Sequence, residues 1–122
     1  MLNTVTLTGR LTADPILQRT ANNVPFVNFS LAVERDYKVK DGQRAVVDFI
    51  ACVVWRKDAE SLAKTLTKGC PLQVQGRLES SSWTDKKGSG HSSLAVNVEK
   101  YWFGETKAAK EAREQQAAMN HE

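Results

Sequence analysis

Seven consecutive apolar residues, from Phe49 to Trp55, form the longest apolar run of the sequence, and two cations follow it at once. A run of this length is typical of a buried strand and falls far short of the ~20 residues of a membrane-spanning helix. Apolar residues at helical spacing come next, with Asp58 as the predicted N-cap and Gly69 as the predicted stop. A strand that leads directly into one short helix is the strongest constraint on what this chain can form.

Four more strands are predicted around this unit, from apolar and polar residues that alternate over 5–11, 27–33, 72–79 and 94–103. Gly9 interrupts the apolar face of the first strand, which predicts a bulge or a sharp bend. Asp41 and Gly42 predict a hairpin before the third strand. Within the hydrophilic stretch 80–93, residues 88–90 predict a flexible hairpin tip. The order β-β-β-α-β-β predicts an all-β domain with one helix, the OB-fold, a five-stranded Greek-key barrel.

The predicted domain covers residues 1–103, and residues 104–122 form a short polar tail. The domain contains 14 Lys and Arg against 10 Asp and Glu, whereas the tail contains 3 against 4. The tail has only alanines and Met119 to bury, so we expect it to be frayed or disordered, with a short docking helix as the alternative. These charge counts place the net positive charge on the predicted domain. A basic domain permits a polyanionic partner but does not establish one.

The sequence disfavours several classes of protein by what it lacks. Its two cysteines and two histidines do not have the spacing of metal ligands, so we expect no metal and no cofactor. A small nuclease needs clustered carboxylates, whereas Asp48 and Asp58 are single residues beside a strand and a helix, so we expect no enzyme. Neither a secretory signal nor a membrane-length apolar run is visible, which favours a cytoplasmic protein without membrane contact.

Strand parity divides the central apolar run into two faces. Even-numbered residues 50–54 suit the barrel core, whereas odd-numbered residues from Phe49 to Trp55 point outward. Two further aromatics, Tyr37 and Trp83, lie in polar connections beside lysines. Unpaired nucleobases stack on exposed rings while Lys and Arg contact phosphates, so this pattern is typical of a surface for single-stranded nucleic acid. As an alternative, Phe49 and Trp55 pack against a second subunit.

The other aromatics are predicted to lie in the core or in a subunit contact; these are Phe26, Phe29, Tyr101, Trp102 and Phe103.

The chain closely resembles the bacterial single-stranded DNA-binding proteins over about residues 1–103. The matching motifs, in order, are VTLTGRLTADP (5–15), NFSLAV (28–33), DFIACVVWRK (48–57), KG (68–69), GRL (76–78) and WTD (83–85). The resemblance implies an OB-fold that assembles as a homotetramer and coats single-stranded DNA in replication, recombination and repair. It also implies stacking aromatics at Tyr37, Phe49, Trp55 and Trp83, and basic contacts at Lys57 and Lys68. With the neighbouring cations, the candidate DNA contacts are Tyr37, Phe49, Trp55, Trp83, Arg56, Lys57, Lys68, Arg77, Lys86 and Lys87.

Two features depart from the usual pattern of that family. Glu79 and three serines stand before Trp83, where basic residues are usual, which predicts a weaker phosphate contribution and a shallower salt dependence. The sequence stops at Glu122 without the usual acidic tip, so we do not expect partner recruitment through such a tip. The alternative hypothesis is a specialised paralogue, of a primosome, plasmid, phage or DNA-uptake system, that acts mainly through protein contacts.

Overall fold

A computed structural model of the protein describes residues 1–36, 42, 45–103 and 115. Within these residues the elements are β1 (Val5–Leu11), β2 (Gln18–Arg19), β3 (Pro25–Glu34), β4 (Val47–Trp55), α1 (Arg56–Thr65), β5 (Pro71–Thr84) and β6 (Gly90–Trp102). All five predicted strands are present among them. The additional strand, β2, has two residues that pair with Pro25 and Phe26 of β3. Two residues are too few for an alternating pattern to reveal a strand.

The strands form one sheet in the order β1-β5-β6-β4-β3-β2, and pairing of β1 with β3 closes the five long strands into a barrel. The β4–β6 pair is parallel, and the other pairs are antiparallel. Together with the helix between β4 and β5, this connectivity is that of the OB-fold. The predicted fold is therefore confirmed, with β2 as a short sixth strand.

The barrel encloses one apolar core, built from the inward faces of the strands and one face of α1. The helix contacts β3 and β4 and buries Ala59 and Leu62. The prediction that the even-numbered residues of 50–54 point inward is confirmed, because Cys52 and Val54 are buried and Ile50 packs against the core. The buried residues are Leu11, Val27, Phe29, Leu31, Cys52, Val54, Ala59, Leu62, Leu66, Cys70, Leu72, Val74, Val96 and Val98.

Gly9 lies where β1 and β3 cross closely. A Cβ atom at this position would be 2.3 Å from the carbonyl oxygen of Ala32, so any larger residue would push the two strands apart. The β1–β5 register runs through Gly9 without a shift, and the register shift of β5 against β6 lies between Gln75 and Gly76. Of the two predicted features at Gly9, the bulge is therefore absent; the glycine is required by the close approach of β1 to β3 that closes the barrel.

The helix starts and ends earlier than predicted. Trp55 occupies the N-cap position with an extended backbone and no side-chain cap, whereas Asp58 lies in the first turn. There its carboxylate still interacts favourably with the helix dipole. The helix ends at Thr65, and Gly69, at φ +85°, belongs to the turn that leads into β5. The predicted cap and stop are therefore both wrong: Trp55 and Leu66, both with an extended backbone, stand at the two caps.

The β5–β6 hairpin extends well beyond the barrel, and we call residues 78–94 the arm. Its strands pair continuously until Thr84 meets Gly90, so the turn is confined to residues 85–89. The predicted hairpin tip at 88–90 falls at this turn, but the strands continue through most of the hydrophilic stretch 80–93, since cross-strand pairing outweighs the low strand propensity of serine. Leu78 and Leu94 are exposed because they lie on the arm rather than over the core.

Candidate nucleic-acid interface

The outward-pointing side chains of four strands form one continuous surface, which we call the outer face. Directly paired residues of neighbouring strands point to the same side of a sheet, so the registers define its members. These are the even-numbered residues 26–32 of β3 and the odd-numbered residues 49–55 of β4, 91–97 of β6 and 77–83 of β5. Phe49, Trp55 and Trp83 all belong to it and are 69%, 37% and 51% exposed. The predicted outward direction of Phe49 and Trp55 is confirmed.

A groove of about 770 Å³ runs between the barrel part of the outer face and the arm. Trp55 and Phe26 form part of its wall, with ring centroids 5.2 Å apart and ring planes inclined by 34°. The polar lining includes Asn28, Ser30, Ser81 and Ser93. The volume lies within the range of ligand-binding clefts in proteins.

Sequence reasoning missed Phe26 as a member of this surface. Its side chain is half-buried beside Trp55 and is not part of the core. Of its two predicted places, the core is therefore wrong, and the subunit contact stays a prediction. The signal was available, because Phe26 has the opposite parity to the inward residues Val27 and Phe29 of the same strand.

The remaining aromatics outside the predicted site divide into core residues and exposed residues. Phe29 lies in the core and Tyr101 packs against it, as predicted. Trp102 and Phe103 are 48% and 47% exposed, so neither is a core residue of this chain.

Two cations follow Trp55 at the start of α1. Arg56 has a backbone φ of +61°, a left-handed conformation that is costly for a residue other than glycine. This single residue turns the chain from β4 into the helix. Arg56 and Lys57 line a cleft that Trp55 also borders, next to Pro25. The tight turn therefore holds the indole ring and two positive side chains side by side.

Lys68 is presented by the turn between α1 and β5. Its backbone N–H donates to Oδ1 of Asp14 at 2.7 Å. The next residue, Gly69, donates to the carbonyl oxygen of Leu11 at 2.8 Å and accepts from the Arg10 guanidinium at 3.0 Å. These bonds fix the turn against the end of β1 and leave the Lys68 side chain exposed.

Arg77 differs from the other candidate cations because carboxylates surround it. Its guanidinium lies 3.1 Å from a carboxylate oxygen of Glu79 and 3.2 Å from one of Glu99. Glu79 also accepts from the side-chain amide of Asn97 on β6. The charge of Arg77 is therefore compensated within the protein.

Trp83 lies near the tip of the arm with His91 stacked beside it. The two ring centroids are 5.5 Å apart and the planes are inclined by 22°. Asp85 holds the His91 ring in place, because its Oδ2 accepts a hydrogen bond from Nε2 of His91 at 2.8 Å. Sequence reasoning did not place His91 in the site, since its position opposite Trp83 depends on where the hairpin turns.

Asp85 organises the turn of the arm. Its Oδ1 accepts the backbone N–H groups of Lys87 and Ser89, both at 2.9 Å. The hydrogen bond from the His91 ring, followed by that from Ser89, lowers the pKa of Asp85 below its ordinary value because both favour the charged carboxylate. Lys86 and Lys87 are exposed in this turn. The tip thus combines an indole ring with two cations.

The β3–β4 connection, where Tyr37 stands, is anchored at its base by an ion pair. Nε and Nη2 of Arg35 donate to the two carboxylate oxygens of Asp48 at 3.0 and 3.1 Å. The hydrogen bond from Arg35 lowers the pKa of Asp48. Tyr37 itself lies outside the described residues, as does the tail apart from residue 115.

The two cysteines are buried, and Cys52 lies beneath the groove that it helps to line. Burial raises the pKa of Cys52 to about 12, so its thiol stays protonated. Cys70 is also buried, and its thiol donates to the carbonyl oxygen of Pro71 at 3.7 Å. Among the described residues, no group of three or more His, Cys, Asp or Glu side chains is placed to hold a metal ion. No helix within the described part is both long and apolar enough to cross a membrane.

The fold and the outer face define a small OB-fold protein with exposed aromatic rings beside cations. The sequence matches the model of the single-strand binding protein family over residues 2–103, and the chain belongs to this family.

The chain is also similar to several curated single-stranded DNA-binding proteins. The chain is 49% identical to a single-stranded DNA-binding protein of Halalkalibacterium halodurans over 72% of its own length and 52% of the relative's. It is 42% identical to that of Caldanaerobacter subterraneus, over 88% and 71% of the two lengths. It is 41% identical to single-stranded DNA-binding protein A of Bacillus subtilis, over 88% and 62%. The match thus spans about half to two thirds of these relatives.

Proposed function

We propose that this protein binds single-stranded DNA without sequence specificity, coating and protecting it during replication, recombination and repair. The observation that carries the proposal is the outer face, on which Phe49, Trp55 and Trp83 stand exposed on a rigid barrel and its arm. Its relatives' names describe the same ligand.

Stacking supplies the selectivity for single strands in this proposal. An unpaired base offers a flat π-face, and its stacking on an aromatic side chain contributes ~1–3 kcal/mol whatever the base. Bases in a duplex are already stacked and paired, so they cannot reach Phe49, Trp55 or Trp83 without melting. The three rings are spread along the outer face, which suits an extended strand rather than one small ligand.

Cations beside the rings attract the phosphates. Arg56 and Lys57 flank Trp55, Lys86 and Lys87 flank Trp83, and Lys68 lies on the anchored turn. Each phosphate that they neutralise releases counterions and strengthens binding at low salt. We retain Tyr37 as a proposed contact from the family resemblance. Arg77 is the weakest of the proposed contacts, since two carboxylates already compensate its charge.

In this proposal the protein is a binding module rather than an enzyme. Asp48 forms an ion pair with Arg35, and Asp58 lies in the first turn of α1, so each of these carboxylates has a structural role. Residues 1–103 form the binding domain, with 104–122 as an appended tail. We further propose a homotetramer, which would place several outer faces on one strand and add their affinities; sedimentation equilibrium tests this assembly.

The function is tested by tryptophan-fluorescence titration with oligothymidine of several lengths and with a duplex of matched length. We expect strong quenching by the single strands alone, reduced in Trp55→Ala and in Trp83→Ala. Trp102→Phe serves as the control, because this tryptophan lies outside the proposed site. An equal response to the duplex would contradict the proposal. A dimer that binds oligothymidine weakly would favour the paralogue that acts through protein contacts.

A further inference from the structure

Phe26 and Trp55 form one two-ring wall. They are direct cross-strand partners on β3 and β4, and their centroids lie 5.2 Å apart. Both rings line the groove between the barrel and the arm, and neither belongs to the buried core. Phe26 therefore extends the aromatic surface of Trp55 into the groove by one further ring.

The charge of the groove differs from that of the surface around it. The charged side chains that line it are Asp14 and Glu79, and among the described lining residues none is Lys or Arg. The other polar lining consists mainly of hydroxyl and amide groups, such as those of Asn28 and Ser93. Neither carboxylate attracts phosphate, whereas hydroxyls and amides can exchange hydrogen bonds with base edges. The groove is thus suited to bases and unsuited to phosphates.

A second cleft on Trp55 does contain cations. Arg56 and Lys57 line it together with Asp58 and Glu60, and Glu60 is paired with Arg19 at 3.6 Å. Arg56 and Lys57 can hold phosphates there. Among the described residues, Trp55 therefore borders both a groove that no Lys or Arg lines and a cleft that contains two cations beside two carboxylates.

We propose that Phe26 is a base-contacting residue of this protein. Bases of the bound strand turn into the groove against the Phe26–Trp55 wall, while the sugar–phosphate backbone follows the Arg56–Lys57 side. This inference rests on the proposed function, since it names how that ligand is oriented at one part of the outer face. It adds a ring that the family resemblance did not assign.

The test compares a strand that has bases with one that lacks them. Phe26→Leu keeps an apolar side chain but removes the ring, and Phe103→Leu is the matched control because Phe103 is exposed away from the groove. Binding of labelled oligothymidine and of an abasic oligomer of equal length is measured by fluorescence anisotropy over a range of salt. Thermal melting of each variant reports on the fold.

We expect Phe26→Leu to weaken oligothymidine binding about five- to tenfold, with abasic binding and the salt slope unchanged and with Phe103→Leu behaving as wild type. Equal oligothymidine affinity in Phe26→Leu and wild type would overturn the inference while leaving the proposed function intact. An equal loss on both oligomers would also overturn it, because the ring would then act through the fold or the backbone. Wild-type protein that failed to prefer single strands over duplex would instead overturn the proposed function.

Discussion

At the scale of single residues, the junction between β4 and α1 is the most unusual position. Arg56 adopts φ +61° directly after the extended Trp55. The left-handed conformation costs a non-glycine residue ~1–2 kcal/mol. Strain of this kind persists where the surrounding structure requires it. Here the strained residue stands between Trp55, a proposed stacking ring, and Lys57, a proposed phosphate contact.

Arg56→Gly is expected to make the protein more stable and a weaker binder. Glycine relieves the left-handed strain but is more flexible in the unfolded chain, so we expect the free energy of unfolding to rise by ~0.5–1 kcal/mol. Loss of the guanidinium should weaken oligothymidine binding several-fold at low salt. Chemical denaturation and a binding titration measure the two effects. Arg56→Ala is the matched control, with the same loss of affinity but no gain in stability; a less stable glycine variant would contradict the strain argument.

The carboxylate of Asp85 is expected to make the arm sensitive to acid. Because its pKa is lowered in the folded protein, its stabilising contribution is present above the ordinary Asp pKa of ~3.9 and is lost as the pH falls through the lower folded value. NMR titration of the carboxyl group and of the Ser89 amide follows this loss. His91→Gln removes the largest cause of the shift, so the Asp85 pKa should move back toward its ordinary value. An unchanged titration in that variant would show that His91 does not hold the carboxylate.

At the scale of elements, the arm is separable from the barrel. It carries Trp83 beyond the core on a regular ladder, in which Ser81 pairs with Ser93 and Ser82 with Ser92. These four side chains are exposed. The arm therefore contributes to the reach of the outer face more than to the stability of the fold.

Deleting Ser81, Ser82, Ser92 and Ser93 together should shorten the arm without changing which side its residues face. Removal of two residues from each strand keeps the two-residue period and draws Trp83 back by ~7 Å. We expect a melting temperature within a few degrees of wild type and a clear loss of oligothymidine affinity, measured by calorimetry and anisotropy. Deletion of Ser81 alone is the contrasting control, since it shifts the register. Unchanged affinity in the shortened arm would exclude Trp83 as a stacking position.

At the scale of the whole molecule, charge is distributed unevenly over the outer face. The proposed phosphate contacts lie near Trp55 and at the arm tip, whereas the groove between them is lined by Glu79 and Asp14, and Arg77 beside it is paired with Glu79. Binding should therefore depend on stacking more, and on phosphate contacts less, than in a relative with basic residues along the arm.

A log–log titration of affinity against salt should consequently give a shallow slope. Each phosphate contact on a single strand contributes ~0.7 to the slope, so Lys57→Ala is expected to reduce its magnitude by about that amount. Lys64→Ala, on the same helix but not among the proposed contacts, should leave the slope unchanged. A wild-type slope as steep as that of a more basic relative would contradict this distribution of contacts.

The sequence by itself determined which segments form long strands, where the helix lies and which way the central strand faces, because these depend on local periodicity. From the same periodicity, Phe49 and Trp55 were correctly predicted to point outward. Only the tertiary structure decided that Phe26 pairs with Trp55, that His91 stacks on Trp83 and that carboxylates surround Arg77. It also showed that Gly9 lies at a close strand crossing and that the strands of the arm continue through most of the hydrophilic stretch 80–93. Each of these features depends on strand pairing and register between residues far apart in the chain, which a local pattern does not specify.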